Sequence, residues 1–174
     1  MDVDELIDKA IHLYELALDV LDGGAYVDAC EKAWACVETL RKALLVKAGI
    51  SYNRAKAITY GIPLFTRLLK KLGRKELLEK YTFFNYKLHI MGFYEGITEP
   101  WEIEEIIQND LKVWIDSMRK LIEQLDINLA SVEEILVEME RIKRRLITEN
   151  VKLAELREKL DALIERALSI KCST

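Results

Sequence analysis

His89 and Asn85 are the residues of this sequence whose types and spacing most suggest chemistry. Asn85 precedes His89 by four residues, so their side chains point the same way on a helix. A histidine titrates near neutral pH and, beside an amide, can accept or donate a proton in phosphodiester chemistry. The alternative interpretation is a hydrogen-bonded histidine at a helix interface. We take the two residues as the candidate catalytic pair, on the condition that the protein is an enzyme.

Four neighbours of this pair are candidates for ligand binding. Thr82 and Phe93 fall on the same helical stripe as the pair, three or four residues apart. Either Tyr86 or Phe93 could form a wall for the imidazole ring. The predicted ligand-binding residues are therefore Thr82, Tyr86, Phe93 and Glu95.

The remaining motifs that usually carry chemistry are missing from the sequence. It contains no Gly-rich phosphate loop, no paired-cysteine motif, no His-x-x-x-His and no Gly-x-Ser-x-Gly. The three cysteines, Cys30, Cys36 and Cys172, have no metal-ligand spacing, and their odd number argues against a disulfide framework. We expect Cys30 and Cys36 to pack as small hydrophobic residues. The sequence predicts no metal and no cofactor.

Composition indicates a helical protein of one domain, with or without an appendage. The 174 residues are 51% apolar and 32% charged, which argues against disorder. Only seven glycines and two prolines are available for turns, which favours a few long helices. The formal charge of −4 gives no domain-wide signal for nucleic acid, although residues 67–75 form a local basic cluster.

The sequence also bears on location and source. No run of about 18 uncharged apolar residues exists, so we expect no membrane span. The acidic start is the opposite of a signal peptide's basic region, which predicts a cytoplasmic protein. High Lys and Glu content with two glutamines is typical of thermophiles.

Apolar periodicity predicts an all-α, up-and-down bundle of four to five helices over residues 1–127. The first helix spans about 3–21, and the second spans about 25–48 with a seam of small residues that admits a close neighbour. Residues 49–61 are predicted as a loop, and Pro63 is placed in the first turn of a short helix. The last two helices of the bundle are predicted at about 74–94 and 98–127.

Residues 128–174 are predicted as a separate C-terminal extension. Apolar residues alternate there by three and four from Val132 to Ile170, which is a heptad repeat. One helix of about 40 residues is the simplest interpretation, and a hairpin with a bend at residues 148–150 is the alternative. The apolar seam must be buried against a partner chain or against residues 1–127. We expect a homodimer with antiparallel pairing, or docking of residues 151–170 onto an acidic surface such as the start of the fifth helix.

Two stretches carry a resemblance to a known family. Residues 25–45, with the run Ala-Cys-Glu-Lys-Ala-Trp-Ala-Cys-Val-Glu-Thr-Leu-Arg, resemble the second helix of HEPN domains (higher-eukaryote and prokaryote nucleotide-binding). Residues 85–96, Asn-Tyr-Lys-Leu-His-Ile-Met-Gly-Phe-Tyr-Glu-Gly, resemble the late-helix motif of the archaeal PaREP branch of that superfamily. The resemblance covers roughly residues 3–127. It implies a bundle of four or five helices, commonly dimeric, with many members acting as RNA-cleaving toxins or as partners of nucleotidyltransferases.

The ribonuclease motif of that superfamily is Arg, a polar residue, three further residues and His. Asn85 and His89 match the polar and histidine positions, whereas Phe84 occupies the arginine position. Phenylalanine cannot neutralise a phosphate or stabilise developing negative charge. We therefore predict a dimeric HEPN-like module that binds a nucleotide, RNA or a protein partner without catalysis. The alternative is a metal-independent endoribonuclease in which His89 is the acid/base and Asn85 orients the phosphate.

Overall fold

The computed structural model describes residues 1–126 and 158–163, and every regular element within these ranges is a helix. The prediction of an all-α helical bundle is confirmed. The predicted heptad helix, its possible bend and the boundary at residue 128 lie largely outside the described residues. The elements in chain order are α1 (Val3–Asp22), α2 (Tyr26–Lys47), α3 (Tyr52–Ala55), α4 (Ile58–Lys71), α5 (Lys75–Phe84), π1 (Asn85–Glu95), α6 (Pro100–Glu105), π2 (Ile106–Leu111) and α7 (Lys112–Gln124).

Helices α1 and α2 form an antiparallel hairpin. Asp2 caps α1 by accepting from the Glu5 amide, while the Glu5 side chain accepts from the Asp2 amide. Gly24 in the connection has a φ of 76°, which glycine adopts without strain. Helix α2 lies at the centre of the bundle, and the predicted seam of small residues is confirmed because these side chains are fully buried: Ala29, Ala33, Cys36 and Ala43.

Helix α5 continues directly into π1, and this composite helix runs antiparallel to α2. From Asn85 onward the backbone follows the wider π-helical turn. Gly92 of π1 lies against Cys30 of α2 so closely that an added Cβ would stand 2.5 Å from the cysteine Sγ. This glycine therefore sets the distance between the two helices that carry the candidate site.

Helix α6 also continues through π2 into α7, and the composite helix closes the bundle. The Tyr14 hydroxyl of α1 donates to the Ile107 carbonyl, and the Trp114 indole N–H donates to the Leu77 carbonyl of α5. Phe84 is fully buried and meets the Trp114 ring edge-on at 5.8 Å. Because its indole N–H finds a partner, Trp114 of α7 can be buried at little cost.

The predicted loop at 49–61 is wrong. The segment contains α3 and the start of α4, so Pro63 lies inside α4 instead of in its first turn. The cause is a long-range contact: the buried Arg41 guanidinium of α2 donates to the carbonyl of Ala55 at the end of α3. Gly61 permits this approach, since a Cβ there would stand 2.2 Å from the Ala55 carbonyl oxygen.

Residues 158–163 are helical and lie against the bundle. Leu160 and Leu163 pack on the hydrophobic core, and Asp161 forms an ion pair of 3.0 Å with Arg67 of α4. This contact supports burial of this part of the seam against the body of the same chain. The ion pair is made with α4 and not with the acidic start of the predicted fifth helix.

No helix among the described residues combines the length and the apolar character that crossing a membrane requires.

Candidate functional site

His89 lies in an aromatic cluster between α2 and π1. Its ring is half-buried and stacks on Trp34 of α2 at 5.0 Å between centroids, with 21° between planes. Tyr94 meets the other side edge-on at 4.8 Å, and Phe93 lies parallel at 6.5 Å. Both aromatic neighbours from π1 follow His89 within about one π-helical turn. The imidazole is therefore held by rings on more than one side.

In the folded protein the His89 ring stays neutral down to a lower pH than a histidine in water does. Removal from solvent lowers the pKa of His89 below its ordinary value, and the negative charge of Glu38 opposes that shift. A neutral imidazole can accept a proton or a hydrogen bond, but it does not offer a fixed positive charge to a phosphate. This arrangement suits stacking better than electrostatic binding.

The other predicted site residues are only partly gathered around His89. Phe93 stacks near the imidazole, and Asn85 lies half-buried one turn earlier on the same helix. Thr82 is exposed, and its hydroxyl donates to the Leu78 carbonyl within its own helix. Tyr86 and Glu95 are exposed as well. The structure thus brings Phe93 to His89, whereas these three exposed residues lie at the surface.

A buried polar network next to the aromatic cluster was not found from the sequence. Glu38 accepts two hydrogen bonds from the Arg41 guanidinium, at 2.8 and 2.9 Å, and one from the Tyr81 hydroxyl at 2.9 Å. Arg41 is fully buried and donates a third bond to the Ala55 carbonyl at 2.9 Å. Trp34, Glu38 and Arg41 stand four and three residues apart on α2, and that spacing was the available signal.

The charged and polar groups of this network stabilise one another. Burial alone would raise the pKa of Glu38, but the hydrogen bonds and charge of Arg41 outweigh burial and hold the pKa below its ordinary value. Burial and the nearby Glu38 carboxylate raise the pKa of the Tyr81 hydroxyl, which stays protonated as a donor. The network is thus one ion pair with its hydrogen-bond partners satisfied.

Lys42 of α2 lies next to this network. Its ammonium lies 4.0 Å from Glu38, and its side chain is only 21% exposed. Burial lowers the pKa of Lys42, and the positive charges of Arg41, Lys9 and Lys56 lower it further, while Glu38 opposes the shift. Because the Glu38 oxygens already accept from Arg41 and Tyr81, the surroundings of Lys42 carry an excess of positive charge.

No cation takes the place of the motif arginine near His89 among the described residues. Phe84, at the arginine position, points into the core against Trp114. The guanidinium of Arg41 is fully engaged by Glu38 and Ala55. Lys87 is paired with Glu102, so among the described residues π1 offers His89 no free cation.

The described residues contain no group of His, Cys, Asp and Glu arranged to hold a metal ion. Cys30 and Cys36 are fully buried, and burial raises the pKa of each thiol to about 12. They are therefore unreactive packing residues, which confirms the prediction for these two positions.

A protein-family model, the archaeal PaREP1/PaREP8 family, matches residues 5–113. The chain belongs to this archaeal family. The matched range includes α2, α5 and π1, so the aromatic cluster and the polar network lie within the matched residues. No curated protein and no solved structure matches this member of the family significantly.

Proposed function

We propose that this member of the PaREP1/PaREP8 family is a non-catalytic binding module of the HEPN type. Its groove between α2 and α5–π1 binds a nucleotide, either free or as part of an RNA strand. The observation that carries the proposal is that α2 carries both Trp34, which stacks on His89, and Lys42, about two turns further along the helix.

The aromatic end suits a nucleobase. Stacking of a base on an aromatic side chain contributes roughly 1–3 kcal/mol and tolerates any base. Trp34 and His89 are half-buried, so part of each ring remains accessible, and Asn85 on the same helix has an amide that can donate and accept.

The cationic end suits a phosphate. Lys42 follows Trp34 by eight residues on α2, which places the two about 12 Å apart along the helix axis. A nucleoside polyphosphate or a short single strand of RNA can span such a separation. Charge-assisted hydrogen bonds from Lys42 would be strengthened by its low exposure and by the neighbouring cations.

The same geometry argues against the ribonuclease alternative. His89 could serve as an acid/base, but the guanidinium that would stabilise a phosphorane-like charge is replaced by the buried Phe84. We expect no cleavage of RNA.

A homodimer and a nucleotidyltransferase partner belong to the same proposal because the HEPN resemblance implies both. The C-terminal heptads supply a second reason for the dimer. The packing of Leu160 and Leu163 on the body leaves the rest of the seam as the part that could pair with a second chain.

Binding of ATP and of a six-residue single-stranded adenosine RNA to the full chain, measured by isothermal calorimetry, tests the proposal. We expect binding that weakens with rising salt, because the cationic end contributes electrostatically. Lys42→Met should weaken binding roughly tenfold to a hundredfold, since a charge-assisted hydrogen bond is worth about 1.5–3 kcal/mol. Comparison of ATP with the RNA shows which form the groove accepts.

Lys112→Met is the matched control, since Lys112 is exposed on α7. It should leave binding unchanged. Failure of both ligands to bind, or equal losses in the two variants, would contradict the proposal. Metal-independent cleavage of total RNA that is lost in His89→Ala would favour the ribonuclease alternative instead.

A further inference from the structure

Exposed large apolar side chains concentrate on one short stretch of the chain. Nine large apolar residues are exposed among the described residues, and five of them lie within residues 86–101. Tyr94 is 70% and Trp101 is 68% exposed. We call these five residues the apolar stripe: Tyr86, Ile90, Tyr94, Ile97 and Trp101.

The stripe follows the chain along π1 and across the turn into α6. Its first three members are four residues apart on π1 and therefore occupy successive turns. Gly96 then takes a φ of 61° and ends the helix, and the Ile97 amide donates back to the Met91 carbonyl. Pro100 starts α6 immediately afterwards, which places Trp101 in its first turn. Tyr and Trp are the residue types most enriched where protein partners bind tightly.

The stripe is bordered by negative charge. Residues 86–105 contain five glutamates and one lysine, which gives this segment a net charge of −4, equal to that of the whole chain. Lys87 pairs with Glu102. The other four carboxylates make no ion pair with the described residues: Glu95, Glu99, Glu104 and Glu105.

We propose that the apolar stripe is a docking face for a protein that presents an apolar segment flanked by Lys and Arg residues. The acidic border attracts such a segment and would speed its association. A second copy of this chain would place the same carboxylates opposite each other across a two-fold axis, which is repulsive. An RNA backbone would be repelled by the same border.

This face is distinct from the nucleotide groove and does not depend on it. Tyr94 belongs to the stripe and also contacts His89, so the two surfaces adjoin. Lys42, which carries the test of the groove, lies outside the stripe. The two proposals can therefore fail separately.

The experiment uses the full chain and two synthetic helical peptides of identical length, one built from Leu and Lys and the other from Leu and Glu. Calorimetry should show that the Leu/Lys peptide binds at least tenfold more tightly. Trp101→Ser should weaken that binding about tenfold or more, since truncation of an aromatic hot spot typically costs more than 1.4 kcal/mol. Val113→Ser, which alters an equally exposed apolar residue on α7, should leave it unchanged.

A charge test separates this face from general attraction between an acidic protein and a basic peptide. Glu99→Gln with Glu105→Gln should weaken binding severalfold, whereas Asp4→Asn with Glu15→Gln, at exposed positions of α1, should not. Equal losses in the two pairs would overturn the proposal.

Two other outcomes would assign the stripe to a different partner. A dimer in light scattering that Trp101→Ser converts to a monomer would assign the stripe to a second copy, and protection of the stripe by the six-residue RNA would assign it to nucleic acid. All the changed residues are exposed, and circular dichroism checks that the helices persist.

Discussion

The polar network at Arg41 and the apolar stripe at Tyr94 both include residues of the composite helix α5–π1 but differ in how their unusual residues are partnered. At Arg41 a buried guanidinium donates to Glu38 and to the Ala55 carbonyl, and Glu38 in turn accepts from the Tyr81 hydroxyl. At the stripe, tyrosine and tryptophan rings are more than half exposed. The polar groups of the first region bond to one another within the fold, whereas the apolar side chains of the second remain accessible to a partner. An unusual residue type does not by itself indicate a functional site. What matters is whether the rest of the chain satisfies its hydrogen bonds and covers its apolar surface.

The largest expected effect comes from breaking the network. Glu38→Ala leaves the Arg41 guanidinium buried without its carboxylate, which typically costs about 3–5 kcal/mol of unfolding free energy. Urea unfolding monitored by circular dichroism measures the loss. Glu31→Ala, which removes an exposed ion pair with Lys32 of the same helix, should change stability by less than about 1 kcal/mol. Similar small losses in both variants would show that the network is not structural and would reopen it as a binding site.

A smaller loss is expected where the two helices approach most closely. Gly92→Ala would place a Cβ 2.5 Å from the Cys30 Sγ, and such overpacking typically costs about 1–3 kcal/mol. Cys30→Ala in the same chain removes the obstructing sulfur and should recover most of the loss, which a double-mutant cycle in urea would quantify. Additive losses in the double variant would mean that the two residues do not determine the helix spacing.

These two sites show what the sequence could and could not predict. The helical periods of α1 and α2, the Asp2 cap and the buried small residues follow from local rules, and the structure confirms them. The prediction for residues 49–61 was wrong because the contact that holds Ala55 comes from Arg41, 14 residues earlier and on another helix. A charged residue in an amphipathic helix is ordinarily assigned to the surface, so its burial could not be inferred without its partners.

The candidate site, like the fold, could be predicted from the sequence only in part. The family match bears out the PaREP part of the resemblance, and the spacing of Asn85 and His89 identified the helix that carries the groove. Trp34 and Lys42 were not predicted as site residues because they lie on another helix. The register between two helices cannot be read from the local sequence. The π-helical turn also shifted the neighbours of His89, so that Tyr94 contacts it in addition to Phe93. The roles assigned to Asn85, Thr82, Tyr86 and Glu95 stay predictions.

A third region, residues 158–163, tests whether in-chain burial accounts for part of the heptad seam. Leu160→Ser combined with Leu163→Ser should cost about 2 kcal/mol in urea unfolding, because each side chain is only partly buried. Asp161→Ala, which breaks a partly exposed ion pair with Arg67, should cost less than about 1 kcal/mol. Light scattering should give the same mass for all three proteins. A lower mass for the leucine variant would place these side chains in a subunit interface instead.

The smallest expected effect concerns His89, which lies between the polar network and the apolar stripe. The pH dependence of its contribution to stability shows which of the two regions controls its protonation. Desolvation lowers its folded-state pKa, so between about pH 6.5 and that lowered value the unfolded chain binds more protons than the folded one. The contribution of neutral His89 is therefore complete above about pH 6.5 and declines as the pH falls. His89→Phe keeps an aromatic ring against Trp34 but cannot titrate.

The measurement is urea unfolding of both proteins at several pH values from 8 down to about 5. Wild type should lose stability relative to His89→Phe as the pH falls, and His12 is present in both, so the difference isolates His89. The opposite result, a relative gain for wild type at low pH, would mean that attraction to Glu38 outweighs desolvation and that His89 belongs electrostatically to the buried network. In that case a charged imidazole would extend the cationic surface of the groove toward its aromatic end, and nucleotide binding should strengthen as the pH falls. Under the expected result the imidazole binds as a neutral ring, and nucleotide affinity should not rise on acidification.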